Sequence, residues 1–441
     1  MSANHNVIFN VAPGGSLHGS LRVPGDKSIS HRSIMLGALA EGVTEVSGFL
    51  QGEDNLATLN AFRAMGVRID GPENGRVVIH GVGMDGLKAP AAPLNLGNSG
   101  TSMRLLSGLL AAQAFDSVLT GDASLSTRPM RRVTEPLAQM GAVVETTAAG
   151  TPPLQCRGGW ALRGIEYLMP VASAQVKSCL LLAGLYAMGR TCVTEPAPTR
   201  DHTERMLQGF GYPVRVEGNR ICVEGGGRLT ASAIDVPADI SSAAFFLVGA
   251  SICPGADLFL EHVGVNPTRD GVITILQLMG ADIQLLNPRE IGGEPVADIR
   301  VRYAPLRGID IPESQVPLAI DEFPALFVAA ACAEGQTVLS GARELRVKES
   351  DRIQVMADGL HILGVDAVPT EDGMIIQGGG NIGGGRVQSH GDHRIAMAFA
   401  MAALRASAAI EIENCANVNT SFPDFVGLAA GAGLNITQVS A

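Results

Sequence analysis

The chain has 441 residues, enough for two or three compact units at roughly 150 residues each, and too many for one small binding module. Its net charge of −11 excludes a general nucleic-acid or anionic-membrane binder, whose affinity rests on excess positive charge, so any anionic ligand must be met by local basic residues. Hydrophobic residues are 46% and aromatics only 4%, so the core must be built from aliphatic side chains, with 54 glycines shaping turns.

The start, MSANHNVIFN, has neither the cationic flank nor the apolar run of a secretory signal, and the reading is cytoplasmic. The longest apolar stretches, near residues 179–189 and 395–404, fall short of the roughly 18 to 20 residues that span a bilayer and read as buried helices. The seven cysteines (156, 179, 192, 222, 253, 332 and 415) are scattered without a C-x-x-C pair, and are expected to be buried free thiols.

One pattern recurs along the whole chain. A helix-like apolar run closes on a glycine and leads into a strand-like run at FRAMGVRI (Gly66), LAQMGAVV (Gly141), LQGFGYPV (Gly211), LQLMGADI (Gly280), HILGVDAV (Gly364) and AAGAGLNI (Gly433). Each glycine stands where a left-handed helix C-cap needs one. The starts of the units also echo one another: the segments opening at Val23, Met169 and Val236 each run from a strand into a loop of small polar residues and then into a helix apolar nearly all round, which must be buried. The repeat reads β-α-β-α-β, in an α/β (α+β) fold. Units of about 70 residues are too long for the common solenoids, so three plus three around a cleft is expected. The lobes are residues 24–235 and residues 1–23 with 236–441, joined by two crossovers that act as a hinge, and the first 20 or so residues add a strand to the second lobe.

The loops that open the units hold the chemically useful side chains. In chain order these are Lys27, Ser28 and Arg32 in PGDKSISHRS; Asn98, Gly100, Thr101 and Arg104 in LGNSGTSMR; Arg128, Arg131 and Arg132 in STRPMRR; and Ser173, Gln175 and Lys177 in ASAQVK. They continue with Arg200, Asp201 and His202 in TRDHTER, Asp321 and Glu322 in IDEFP, Lys348, Glu349 and Arg352 in RVKESDR, and Asp392, His393 and Arg394 in GDHRIAM. Small residues that leave helix N-terminal N–H groups open, with a Lys or Arg beside them, suit oxyanion recognition. No Walker A sequence is present. His390 and His393 have no further Cys or His nearby, so no metal site is read there. Ser28, Ser30 and Ser173 lack the setting of a catalytic nucleophile and read as caps or ligand donors. Cations in equivalent places of both halves imply polyanionic ligands in one cleft.

These motifs, PGDKSISHRS, LGNSGTSMRLL, RPM, ASAQVKS, RVKESDR, DHRIAMAFA and TSFPDF, resemble the 5-enolpyruvylshikimate-3-phosphate synthase family in order over about residues 13 to 438. The resemblance implies two lobes, each of three β-α-β-α-β-β units with helices inside and sheets outside, in an inside-out, barrel-like arrangement. It implies transfer of the enolpyruvyl group of phosphoenolpyruvate to the 5-hydroxyl of shikimate 3-phosphate with release of phosphate, a step toward chorismate and the aromatic amino acids. It implies no metal, no organic cofactor and no nucleic-acid or membrane partner, and a monomer is expected.

By the same resemblance Asp321 orients and deprotonates the 5-hydroxyl, while Glu349 and Lys27 or Lys348 handle the proton on the methylene carbon. Lys27, Ser28, Arg32, Ser173, Gln175, Arg200, Asp321 and Lys348 would contact shikimate 3-phosphate. Lys27, Asn98, Gly100, Thr101, Arg128, Gln175, Glu349, Arg352 and Arg394 would serve phosphoenolpyruvate. The S-x-S-H-R and A-S-A-Q-V-K-S forms are similar to the glyphosate-tolerant class II of the family. Two positions depart from familiar patterns: Thr420 stands where many members have a lysine before the T-F-P-D segment, and Gly100 stands where some tolerant members have alanine. Two other readings stand beside this one. The UDP-N-acetylglucosamine enolpyruvyl transferases share the six-unit architecture but carry a cysteine before their R-P segment, absent from residues 121–129 here. A non-catalytic phospho-ligand binder would have no use for Asp321 and Glu349 among the cations.

Overall fold

The computed structural model describes residues 7–440. Two compact units emerge: an N unit of Gly25–Val236 with Glu290–Glu294, and a C unit of the chain through Pro24, Pro237–Arg289 and the chain from Pro295.

Twelve α-helices run through the described residues: α1 (Lys27–Leu39), α2 (Glu53–Ala64), α3 (Gly100–Leu110), α4 (Arg131–Gln139), α5 (Ala174–Gly184), α6 (His202–Gly209), α7 (Ile240–Ile252), α8 (Gly271–Leu278), α9 (Phe323–Cys332), α10 (Arg352–Ile362), α11 (His393–Ala402) and α12 (Phe425–Ala432). They alternate in kind. The odd-numbered helices are the ones apolar nearly all round, and they are deeply buried; every residue of α7 is buried. The even-numbered helices end at the six repeating glycines, whose φ values run from 78° at Gly211 to 113° at Gly433. A Cβ is strained in that left-handed region, which is why glycine recurs there.

The odd helices begin on caps that the loop motifs supply. The side chains of Asp26, Ser99, Ser173, Asp239 and Asp392 accept backbone N–H bonds in the first turns of α1, α3, α5, α7 and α11. Each cap satisfies an N–H that the helix itself cannot, a contribution of about 1 kcal/mol, and fixes where the preceding loop joins the helix. Between α3 and α5 the backbones come so close that a Cβ on Gly108 would sit 2.2 Å from the Cys179 carbonyl oxygen.

Each pair of helices is backed by a sheet of one design: a parallel pair of strands followed by two antiparallel ones. In the N unit these are Ala233–Asp235, Val43–Ser47, Arg76–His80 and Arg68–Glu73; Leu94–Asn95, Ser117–Thr120, Leu154–Arg157 and Val143–Glu145; and Glu166–Leu168, Arg190–Thr194, Arg220–Glu224 and Val214–Glu217. In the C unit His18–Leu21 lies parallel to Asp257–Gly264, followed by Glu294–Arg302 and Asp282–Ile291, and Gly385–Gln388 lies parallel to Ile410–Glu413, followed by Val7–Gly15 and Leu434–Ser440. A sixth sheet, Gly335–Leu339 with Met374–Gly378 and Asp366–Pro369, gains its parallel partner through a single bridge from Asp310 to Val338, and a small seventh pairs Leu229–Thr230 with Ala40–Glu41 in parallel. The first strand of the chain is thus held by the last sheet, between its strands Ile410–Glu413 and Leu434–Ser440. Each unit has its own apolar core, centred on α1, α3 and α5 in one and on α7, α9 and α11 in the other.

One expectation fails. Cys192 and Cys222 form a disulfide, because they face each other in register on adjacent antiparallel strands. Register between strands thirty residues apart is a tertiary property, invisible in cysteine spacing. The other five cysteines are free, and all but the half-buried Cys332 are buried. Among the described residues no helix is long and apolar enough to cross a membrane.

Candidate active site

In the N unit the opening loop of α1 supplies a lysine and an arginine. Lys27, the first residue of α1, bonds Asp54 in the first turn of α2 (Nζ to Oδ2, 2.6 Å), and the Asn55 side-chain amide donates to the Lys27 carbonyl at 3.0 Å. One turn on, Arg32 is 4% exposed and is held by oxygens of three elements: Nε donates to Thr203 Oγ1 (2.7 Å), Nη2 to Ser178 Oγ (2.8 Å) and Nη1 to the Ser28 carbonyl (3.0 Å). Burial lowers its pKa to about 10, with Glu204 and Asp26 opposing that shift and Arg200 adding to it. Between Lys27 and Arg32, buried His31 shares a 2.8 Å hydrogen bond between Nδ1 and Thr58 Oγ1, which contacts Ser102 Oγ at 2.5 Å.

Beneath Arg32, Lys177 is fully buried between Glu204 (2.7 Å) and Glu195 (3.1 Å). Burial raises the Glu204 carboxyl, against the pull of Lys177. The α3 loop forms a second group. Arg128 Nη2 donates to Asn98 Oδ1 (2.6 Å), and Asn98 in turn donates to Asp122 (2.7 Å). Gln175 accepts from Arg104 and donates to Thr101 Oγ1 at 3.1 Å. Ser173 caps α5 by accepting from the Val176 N–H at 3.4 Å. Gly100 lies against Arg128: a Cβ there would be 3.0 Å from Nη1.

The C unit gathers the carboxylates. Arg352, at the first position of α10 and 1% exposed, is the hub. It bonds Asp392 (Nε to Oδ2, 2.8 Å), Glu349 (Nη2 to Oε2, 2.6 Å) and Asp321 (Nη1 to Oδ1, 3.3 Å). Burial alone would lower its pKa, but the Asp392, Glu349 and Asp321 charges outweigh it and raise it. Lys348 Nζ stands 3.2 Å from the same Asp321 oxygen. Arg394 Nη1 donates to the Asp321 carbonyl at 3.0 Å and to Glu322 at 3.5 Å. Asp321, Lys348, Glu349, Arg352 and Arg394, spread over more than seventy residues of sequence, are therefore one network. Asp321 and Glu349 keep 14% and 28% of their side-chain surface open to a reactant, whereas Asp392 is closed off at 0%.

Within the N unit Ser28, Arg32 and Arg200 gather near α5 and α6, Asn98, Gly100 and Arg128 near the start of α3, and Thr101 and Gln175 where α3 meets α5. Lys27 bonds α2. Sequence reasoning missed three of the partners that hold these groups: Asp54, Ser178 and Thr203. Asp392 was legible in the GDHR loop with Arg394, but its bond to Arg352, forty residues away, was not. Of the two histidines in the GDHR loop region, His393 Nε2 lies 3.2 Å from Ser421 Oγ. His202, Asp201 and Glu294 do lie together, with His202 Nδ1 2.7 Å from Glu294 Oε1, but Asp201 is also bonded by Arg205 at 2.8 Å.

Residues 11–428 match the family described as EPSP synthase (3-phosphoshikimate 1-carboxyvinyltransferase). A 3-phosphoshikimate 1-carboxyvinyltransferase of Methylococcus capsulatus is 73% identical over 431 residues, 98% of each chain, and one of Alkalilimnicola ehrlichii is 73% identical over 98% of this chain and 96% of its own. A solved EPSP synthase structure from Acinetobacter baumannii superposes with a TM-score of 0.90 at 63% identity, covering 98% of this chain and all of that one. The likeness spans both units and both side-chain clusters, and on it the chain belongs to the EPSP synthase family.

Proposed function

We propose that the chain transfers the enolpyruvyl group of phosphoenolpyruvate to the 5-hydroxyl of shikimate 3-phosphate, releasing inorganic phosphate. The observation that supports it most directly is the Arg352 network, which sets two partly open carboxylates, Asp321 and Glu349, among Lys348, Arg352 and Arg394. A binding protein for anions has no need of carboxylates beside its cations, whereas addition and elimination need a base and an acid.

In this reading Asp321 takes the proton of the 5-hydroxyl as its oxygen bonds to the enol carbon, and the methylene carbon gains a proton from Glu349 or from Lys27 or Lys348. The tetrahedral adduct then expels phosphate and returns the methyl proton, restoring the double bond. Lys348 Nζ, 3.2 Å from Asp321 Oδ1, holds that carboxylate in place beside the hydroxyl whose proton it takes. Arg128, Arg352 and Arg394 offer the planar forks that suit the carboxylate and phosphate of phosphoenolpyruvate, with Asn98, Gly100, Thr101 and Gln175 shaping the loop. Lys27, Ser28, Arg32, Ser173, Gln175 and Arg200 serve shikimate 3-phosphate. Fixing both reactants supplies much of the rate by orientation. The sequence expectations add a cytoplasmic monomer near the glyphosate-tolerant class.

The test is phosphate release by purified protein given both substrates without added metal. Release well above a heat-killed control is expected, and none above it ends this reading.

A further inference from the structure

Four lysine or arginine side chains are buried among the described residues: Arg32, Lys177, Arg269 and Arg352. Three of them hold carboxylates. Lys177 lies between Glu195 and Glu204, Arg269 bonds Asp239 at 3.1 Å, and Arg352 joins Asp321, Glu349 and Asp392. This is the ordinary solution, since a buried charge without a counter-charge is costly. Arg32 departs from it. Its hydrogen-bond partners are two hydroxyls and a backbone carbonyl, and among the described residues no carboxylate oxygen is in ion-pair contact with it.

The neutral partners are themselves tied down. Thr203 Oγ1 and Ser178 Oγ lie 2.7 Å apart, so Arg32, Ser178 and Thr203 close a ring of three hydrogen bonds joining α1, α5 and α6. Both hydroxyls are buried, at 0% and 1% exposure, and side chains so enclosed have one rotamer to offer. Of the five guanidinium N–H groups, three are used by Thr203, Ser178 and the Ser28 carbonyl. That leaves one N–H on each terminal nitrogen, the number a two-point contact with an oxyanion takes.

We infer that Ser178 and Thr203 are positioning residues that grip Arg32 through neutral oxygens, so that its full positive charge is kept for the anionic groups of shikimate 3-phosphate. The inference rests on the reading above that Arg32 meets that substrate. A carboxylate in either place would hold the guanidinium more tightly, because charge-assisted hydrogen bonds are the stronger ones, but it would also neutralise it. Burial lowers the Arg32 pKa to about 10 although Glu204, Asp26 and Glu294 act at longer range to raise it, and Arg200 adds to the lowering. Binding an anion would oppose that lowering.

The experiment compares Thr203→Asp with Thr203→Asn, side chains of one shape that differ in charge, by calorimetric titration of shikimate 3-phosphate at pH 7 and pH 9. Thr203→Asn is expected to bind within about threefold of the parent, and Thr203→Asp at least about tenfold more weakly, by a similar factor at both pH values, since a carboxyl paired with the Arg32 guanidinium is ionised at each. In turnover the Asp variant raises KM for shikimate 3-phosphate while kcat at saturation stays within about threefold, a split that general loss of structure does not give. Ser178→Asp and Ser178→Asn form a second pair, read the same way if the Thr203 pair does not fold. Arg32→Gln separates the two levels of the argument. Weak binding in Arg32→Gln with equal binding in the Asp and Asn variants overturns the inference alone; normal binding in Arg32→Gln overturns the reading of Arg32 and the inference with it.

Discussion

Arg352 and Asp392, forty residues apart, meet in a two-point contact, Nε to Oδ2 at 2.8 Å and Nη2 to Oδ1 at 3.4 Å, with side chains 1% and 0% exposed. The same Asp392 carboxylate accepts the Arg394 N–H at the start of α11 and the Ser350 hydroxyl. One buried aspartate thus aims two arginines and the loop that carries Glu349.

Asp392→Asn keeps the shape and the capping oxygen but removes the charge opposite a buried guanidinium. Breaking such a pair costs about 3 kcal/mol even at the low end. Denaturant unfolding is expected to show a loss of that size, together with a raised KM for phosphoenolpyruvate, because Arg352 is left to Glu349 and Asp321. An unchanged unfolding midpoint would mean that the pair adds no net stability.

Asp321→Asn tests the base. The amide still accepts from Lys348 or Arg352, so both substrates are expected to bind, while turnover falls by at least about a hundredfold, the usual worth of a general base. Near-normal kcat in a steady-state assay would remove Asp321 from that role.

The features that could be read in the sequence are those set by local physics. A left-handed residue after a helix demands glycine, so Gly66, Gly141, Gly211, Gly280, Gly364 and Gly433 marked six units before any contact was known. Helices apolar on every side had nowhere to go but inside. The loops with Lys27, Arg128, Asp321 and Arg352 were legible because charge is rare next to such helices. What stayed hidden depends on partners distant in sequence. Ser178 and Thr203 are unremarkable polar residues until α1 brings Arg32 between them, and Cys192 meets Cys222 only through the register of two strands.

His31 makes acid stability a test of its burial. Desolvation first, then the Lys27 and Arg32 charges, hold its pKa well below 6.5, so the folded chain keeps this imidazole neutral. Below pH 6.5 the unfolded chain binds a proton there that the folded chain refuses, and stability falls by about 1.4 kcal/mol per pH unit until the folded pKa is reached. Glu204, raised by burial, works in the opposite direction over the carboxylate range, but it is common to both proteins compared. His31→Gln is expected to be less stable at pH 7, having exchanged a well-seated ring, and to lose stability less steeply between pH 6.5 and 5. Parallel slopes in urea unfolding would show that His31 titrates normally in the fold.

Gly100→Ala puts a methyl where 3.0 Å separates it from Arg128 Nη1. The guanidinium must give way by a few tenths of an ångström, and its 2.6 Å bond to Asn98 ties that shift to the loop. KM for phosphoenolpyruvate is expected to rise several-fold with kcat little changed, since the displaced group binds rather than transfers protons. Inhibition by glyphosate, titrated against phosphoenolpyruvate, should weaken more than KM rises. Kinetic constants equal to the parent's would place Arg128 outside the phosphoenolpyruvate contact.

The cysteine pair gives a count. With Cys192 and Cys222 bonded, protein purified without reductant and then denatured is expected to show five reactive thiols, and seven after reduction. The bond closes a loop of about thirty residues, worth about 3.5 kcal/mol by its restriction of the unfolded chain. It also joins the strand that leads into Glu195, the partner of Lys177, to its neighbour Arg220–Glu224. Reduction should therefore lower the unfolding midpoint of the intact protein, and Cys192→Ala should reproduce that loss and make it insensitive to reductant. Seven thiols before reduction would mean that the two sulfurs, though opposed in register, stay apart.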